Sequence, residues 1–342
     1  MPHRTFIWFI LPALVAMILC IALPIVSVAI QSFYIEHDQT LIEVETCSPF
    51  KCEITLVVDQ ESTAELRAMN PLGRFNGLGT YTNRSHLALD ELKAAWAESD
   101  NFGSFWVKLM NLPFYKALLF TLTYTFVVTP FVLGLGLAVA LGVNTLPTFL
   151  KGPTIFVSLL PMIVTPLIGS LILFWMIDAN GIIGKTLQNL FDDPNLSLKA
   201  SKSLTWITLF VYGIWHNTPF SFIVFYAGLQ TIPKDTMEAA QIDGASRWQR
   251  IRYVIIPYMM PLIVFITLMQ LMDGLRVFEP IVGLSASAKA TSLSWIIFND
   301  LNGDAKLFGS AAATSVMTII GVIILLIPVL IRTWRDFNRK VM

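Results

Sequence analysis

Charge is scarce in this sequence: Asp, Glu, Lys and Arg make up 13% of its 342 residues, about half the share in a soluble globular chain. An ordinary water-facing surface is thereby excluded. Histidine is limited to four scattered positions, His3, His37, His86 and His216, and neither H-E-x-x-H nor G-x-S-x-G occurs. Catalysis has no obvious seat, and the chain is not expected to be an enzyme. Cysteine is limited to Cys20, Cys47 and Cys52, and two neighbouring cysteines without accompanying histidines fall short of a zinc set.

What fills the chain instead is apolar, with 55% hydrophobic residues and a mean hydropathy of +0.66. Several runs reach the ~20 residues that an α-helix needs to cross ~30 Å of hydrocarbon, whereas barrel strands would alternate in shorter pieces. The expected fold is an all-α membrane protein with six spanning helices, near 6–33, 114–143, 152–177, 204–229, 254–284 (interrupted) and 308–332. Pro and Gly within these spans are expected at kinks or packed interfaces, because lipid offers the backbone no partners. Placing the N-terminus inside puts Arg4, Lys151, Lys234, Arg247, Arg250, Arg252, Arg332, Arg335, Arg339 and Lys340 on the inner side, as the positive-inside tendency favours. Both termini are therefore expected in the cytoplasm. The apolar stretch from Phe6 to Ile30 exceeds the h-region of a cleavable signal and reads as a retained anchor. Cys20 within it is expected to pack, since the bulky Leu19 before it makes a poor lipoprotein cleavage site.

Residues 34–113 form a polar insertion with twelve acidic and six basic residues, expected as a small extracytoplasmic domain. "ETCSPFKCEITLVVD" suggests a tight turn at Ser48 and Pro49 and then a short strand. Cys47 and Cys52 are candidates for a disulfide on an oxidising outer side, with a metal site as the rival. From Asp90, "DELKAAWAESDNFGSFWVKL" has helical spacing of Leu92, Ala95 and Trp96, and its aromatics suit a helix lying along the membrane surface.

Polar residues inside the spans are the next signal. Counting ~1.5 Å per residue from Pro257, Gln270 lies ~20 Å and Asp273 ~24 Å along the fifth span, still at hydrocarbon depth. Arg276 and Glu279 follow Asp273 on the same helical face, where the three either form an ion-pair ladder or line a path for a polar solute. Gly274 and Pro280 suggest a broken helix. On the fourth span, "WHNTPF" offers Trp215, His216, Asn217 and Phe220 around Pro219, a mixture of rings and amides that suits either helix packing or a sugar. "ANGIIGKT", Ala179–Thr186, imitates a phosphate loop but follows a membrane helix rather than a strand.

One stretch, "EAAQIDGASRWQRIRYVIIPYMMPL" at 238–262, is polar at its start and apolar after. Pro233 and Asp235 suit the first turn of a short helix, Gly244 permits a change of direction, and a second helix from Ala245 to Tyr253 is expected to end before Pro257. Glu238, Ala239, Ala240, Gly244, Val254, Ile256 and Pro257 resemble the EAA loop (EAA-x3-G-x9-I-x-LP) of binding-protein-dependent ABC importer permeases. "AGLQTIPKD" and "DGASRWQR" around it are similar to the carbohydrate-uptake branch, which includes maltose and glycerol-3-phosphate permeases. "ILPALVAM", "LPIVSVAIQSF", "FNGLGTY" at 75–81 and "FYKALLFTLTYT" agree with the same branch.

The resemblance implies a type I importer permease fold, with 1–33 as the first helix, 34–113 as the insertion, 114–335 as the transport domain including the loop 233–257, and 336–342 as a tail. It gives Glu238, Ala239, Ala240, Asp243, Gly244, Ala245 and Arg247 the role of coupling to a cytoplasmic ATPase. The family's sugar-contacting positions fall on Asn217, Phe220, Gln270, Gly274 and Val277, with Asp273 and Arg276 as added candidates. Where the family carries "GGP" after the fifth span, this chain carries "SASAKATSLSW". Implied partners are a second, different permease, two ATPases and an extracytoplasmic solute-binding protein, in a bacterial cytoplasmic (inner) membrane and its lipid. No cofactor is expected in this chain, ATP and Mg belonging to the ATPase, and no nucleic acid. The rival class, an ATP-independent secondary transporter, would need internal repeats and a buried ion relay.

Overall fold

The computed structural model describes residues 3–37, 41–48, 51–99, 101–303 and 306–339. The chain forms two compact units, one made of Met1–Tyr115 with Ile296–Ile319 and the other of Lys116–Trp295 with Ile320–Met342.

The first unit begins with α1 (His3–Met17), a π turn (Ile18–Ala22) and α2 (Leu23–Gln31). Trp8–Gln31 is long and apolar enough to span a membrane and is exposed all round, as lipid contact requires. The wide turn sits just before Pro24, whose ring would otherwise meet the carbonyl four residues back. Next, β1 (Tyr34–Ile35) pairs antiparallel with β4 (Arg74–Phe75), and β2 (Leu41–Ser48) with β3 (Lys51–Val58). The expected strand after the turn is there, and so is a partner for it. Cys47 and Cys52 stand opposite each other in backbone register, but their side chains lie outside the described residues.

After β3 come α3 (Gln60–Met69), α4 (Gly79–Thr82), α5 (Leu89–Ala97) and α6 (Phe102–Met110). The surface helix expected from Asp90 is therefore two helices, because Asn101 caps the second: its backbone and the Ser104 hydroxyl are hydrogen-bonded in both directions. Trp96 and Phe105 meet edge to face at 5.1 Å, holding α5 and α6 together. "FNGLGTY" supports the unit. The Asn76 N–H donates to the Phe33 carbonyl at 2.8 Å, and the Tyr81 hydroxyl donates to the buried Ser32 hydroxyl at 2.6 Å.

His86 is fully buried in this unit. Its Nδ1 lies 2.9 Å from Asn83 Oδ1, and its Nε2 lies 3.1 Å from both the Ser310 carbonyl and the Thr314 hydroxyl. Burial holds its pKa below the ordinary value, partly offset by the Ser310 carbonyl and by Asp300. Asp300, hydrogen-bonded by Ser310, is shifted the other way, upward, again by burial. A histidine that resists protonation when folded contributes stability above its unfolded pKa of ~6.5 and loses it as pH falls. Hydrogen exchange at 80–88 and 308–314, corrected for intrinsic rate, is expected to accelerate between pH ~7.5 and ~5.5. His86→Gln should flatten that dependence, and an unchanged profile in the variant would refute it.

The remaining helices are α7 (Pro113–Thr145), α8 (Thr148–Ile163), α9 (Pro166–Met176), α10 (Ile182–Phe191), α11 (Lys202–Leu229), α12 (Lys234–Ile242), α13 (Arg247–Arg250), α14 (Ile256–Tyr258), α15 (Met260–Leu275), α16 (Glu279–Gly283), α17 (Leu293–Asn302) and α18 (Phe308–Arg339). Pro113–Thr145 and Phe308–Ile331 are apolar spans. The span expected at 152–177 is instead α8 and α9 bent by 91°. Pro166 explains the break, since it pushes Thr165 out of the helical region. α11, at 28 residues, has the length of a span but carries its polar groups in mid-course.

Two clusters hold the second unit together. Phe120, Tyr124, Leu209 and Ile281 centre the first, and Phe222, Phe225, Met259 and Ile266 the second. Trp206 packs edge to face on Phe120 at 4.9 Å and donates its Nε1–H to the Lys289 carbonyl at 3.0 Å. In "ANGIIGKT", Gly181 caps α10 and Gly184 presses on the Asp178 carbonyl, so its glycines serve close packing after a helix rather than a phosphate.

Candidate functional site

The elbow at 233–258 is built from two complementary helix ends. Pro233 caps α12, and Asp235 stands in its first turn, where an acid favours the helix dipole. At the other end Gly244 adopts φ +76°, the left-handed conformation that glycine takes without a steric penalty. The Gly244 N–H donates to the Gln241 carbonyl at 3.0 Å and the Ala245 N–H to the Ala240 carbonyl at 3.0 Å, which is the Schellman closure of a helix. Ser246 then opens α13 with a capping box: the Gln249 N–H donates to the Ser246 hydroxyl at 3.3 Å, and the Ser246 N–H to Gln249 Oε1 at 2.7 Å. The reversal is thus written into four consecutive residues, Asp243 to Ser246.

The second helix does not stop before Pro257 as expected. It runs from Arg247 through a π turn (Ile251–Ile255) into α14, and breaks at Met259 with a 71° bend before α15. The wide turn gives Pro257 room, as the other does for Pro24. Met237 and Ile251 pack on the second core cluster, fixing the elbow to its unit. Glu238, Ala239, Asp243, Gly244 and Arg247 are exposed, while Ala240 and Ala245 are half-buried. Sequence reasoning missed Ile242, which is 86% exposed at the end of α12. Its signal was an isoleucine standing alone in a polar nine-residue helix.

The polar band of the spans is divided by the structure. Asn217 Nδ2 donates to the Gly213 carbonyl at 2.9 Å on α11, and the Phe220 ring lies 6.4 Å from that of Phe265 on α15. These two are half-buried, whereas Gln270 is buried. Asp273 and Arg276 form an ion pair of 2.7 Å at the end of α15, with Arg276 70% exposed. Glu279 is not a printed member of that pair and opens α16 instead, a position that suits an acid. Gly274 and Val277 are buried. A Cβ on Gly274 would lie 2.7 Å from Thr125 Oγ1, and the Val277 carbonyl accepts from the Ser292 hydroxyl at 2.6 Å, so both positions pack inside the unit. The helix breaks at Arg276–Phe278 rather than at Gly274. His216 stacks on Tyr212 at 5.8 Å, and the Tyr212 hydroxyl donates to the Pro166 carbonyl at 2.8 Å.

Among the described residues no group of three or more His, Cys, Asp and Glu could hold a metal ion. The chemistry available is therefore docking at the elbow and polar contact along the spans.

Comparison with known proteins agrees with this division. The chain is 27% identical over 233 residues to the probable ABC transporter permease protein y4oQ of Sinorhizobium fredii, covering 67% of this chain and 74% of that one. It is 32% identical over 226 residues to the inner membrane ABC transporter permease protein YcjO of Escherichia coli, 63% of this chain and 73% of that one. The trehalose/maltose transport system permease protein MalF of Thermococcus litoralis is 32% identical over 137 residues, 36% of this chain and 45% of that one. Among solved structures, a chain of a bacterial ABC transporter that imports the acidic polysaccharide alginate superposes with a TM-score of 0.59 at 21% identity, over 80% of this chain and 96% of that one. A family model matches residues 101–336, including the elbow and the polar band, and the chain belongs to the binding-protein-dependent transport system inner membrane component family.

Proposed function

We propose that this chain is one of two membrane subunits of an ATP-driven importer for a sugar or sugar-like solute. The observation that carries the proposal is the elbow: a rigidly capped helix pair that offers Glu238, Ala239, Asp243, Gly244 and Arg247 to a partner. The relatives named for trehalose and maltose support the solute class. In this reading the elbow and both termini face the cytoplasm, residues 114–335 form the transport domain, and 34–113 lie outside near an external binding protein. A second permease completes the path. Paired ATPases supply the hydrolysis and hold the ATP and Mg.

Asn217, Phe220, Gln270, Asp273 and Arg276 line the solute path, with Gly274 and Val277 setting the packing behind it. A sugar's hydroxyls need donors and acceptors, and its apolar face needs a ring. Asp273→Asn with Arg276→Gln is expected to lower uptake about tenfold, the equivalent of ~1.4 kcal/mol, while ATPase assembly persists. Normal uptake by the double variant would remove these two from the path. The reading as a whole is tested by purifying the full chain from its own membrane. A stoichiometric ATPase should accompany it, and nucleotide-independent uptake by the chain alone in vesicles would overturn the proposal.

A further inference from the structure

Between Asp243 and Asp273 the chain has three arginines and no acidic residue. Arg247, Arg250 and Arg252 fall in α13 and the π turn after it, and none of them is in an ion pair among the described residues. Arg250 is half-buried, with its Nε lacking an acceptor among the described residues. Arg252 is exposed, its guanidinium 5.8 Å from the Tyr253 ring. Like charges this close repel unless an anion is supplied from elsewhere.

Two further observations say where that anion lies. The same segment exposes Trp248 and Tyr253, at 68% and 69%, and such amphipathic rings favour the headgroup level of a bilayer. Arg247–Tyr258 is also bent by 71° from α15. A spanning helix stands within ~20° of the membrane normal on average, so a segment bent this far from α15 runs close to the membrane plane. Ile255 is buried and Ile251 packs on the core, which fixes one face of the segment inward and leaves the cations and rings to the surface.

We infer that Arg250 and Arg252, flanked by Trp248 and Tyr253, form a headgroup site for an anionic phospholipid in the leaflet on the elbow's side. Guanidinium matches a phosphodiester in charge and in paired donors, and basic residues beside a span draw anionic lipid to the surface. The site needs α15 to cross the membrane but does not depend on the identity of the ATPase or the solute. It also gives the elbow a second attachment, next to the hinge at Met259.

The test is native mass spectrometry of the full chain, delipidated and titrated in parallel with phosphatidylglycerol and phosphatidylcholine. Arg250→Gln with Arg252→Gln should weaken phosphatidylglycerol binding by about tenfold or more and leave phosphatidylcholine binding unchanged. The Arg250→Lys, Arg252→Lys variant, folded and still basic, should retain most of it. Inorganic phosphate at matched concentration should not displace the lipid. Equal phosphatidylglycerol binding by the glutamine variant would overturn the inference, as would displacement by phosphate. So would unchanged lipid binding combined with loss of a co-purifying ATPase, which would assign the arginines to a protein partner.

Discussion

Gly244→Val is expected to reduce both uptake and retention of a co-purifying ATPase by at least tenfold, while the chain still inserts and folds. Gly244 sits at φ +76°, and a Cβ built on it meets nothing within 4 Å, so the loss comes from the backbone rather than from a clash within the chain. A left-handed residue with a side chain costs roughly 1–2 kcal/mol, more when it is β-branched. The valine variant escapes that cost by leaving the left-handed region. The two hydrogen bonds that close α12 then break, and α13 is aimed elsewhere. Asparagine, which tolerates this conformation, should do least harm, alanine more and valine most. Uptake and ATPase content measured across the three variants check that order. Wild-type behaviour in Gly244→Val would mean that the reversal is not what the partner reads.

The second large effect is expected at Gly283→Val, in the contact between α9 and α16. A Cβ there would collide with the Ser170 hydroxyl and lie 2.9 Å from the Leu167 carbonyl and 3.0 Å from Ser170 Cβ. Ser170 cannot simply rotate away, because its hydroxyl donates to the Leu167 carbonyl at 2.9 Å. Overpacking of a rigid site costs about 1–3 kcal/mol, and a backbone obstacle puts this case at the upper end. Thermal unfolding of the detergent-solubilised chain should show a clear fall in Tm and in folded yield. Gly283→Ala is the milder form, and Ser170→Gly should restore part of its stability. A Tm unchanged in Gly283→Val would contradict the close approach of the two helices.

Much of the elbow was legible before the fold was seen, because its signals are local. A proline and an acid at the start, a glycine at the end and a Ser-x-x-Gln box act within four residues, and propensity rules are reliable at that range. The apolar runs were equally plain. What the sequence hid depends on contacts between distant segments. Pro161 and Pro166 both suggest a kink, but only the packing of α9 on α16 and of α8 on α11 turns one of them into a 91° break. Gly274 and Val277 share a helix with Gln270 and Asp273, yet they face the core formed with Thr125 and Ser292, which come from far along the chain. The buried partners of His86 on α18 are more than 220 residues away in sequence, so no spacing rule could have paired them.

The two wide turns, at Ile18–Ala22 and Ile251–Ile255, each store one residue beyond what a regular helix would use over the same distance. A regular helix advances about 100° per residue, so removing that residue would turn everything beyond it by roughly that angle. In the segment from elbow to gate, the side of α15 that meets the core would then swing toward lipid. The extra residue therefore sets the angular phase between the part that receives force and the part that moves. Length in this stretch is as tightly constrained as composition.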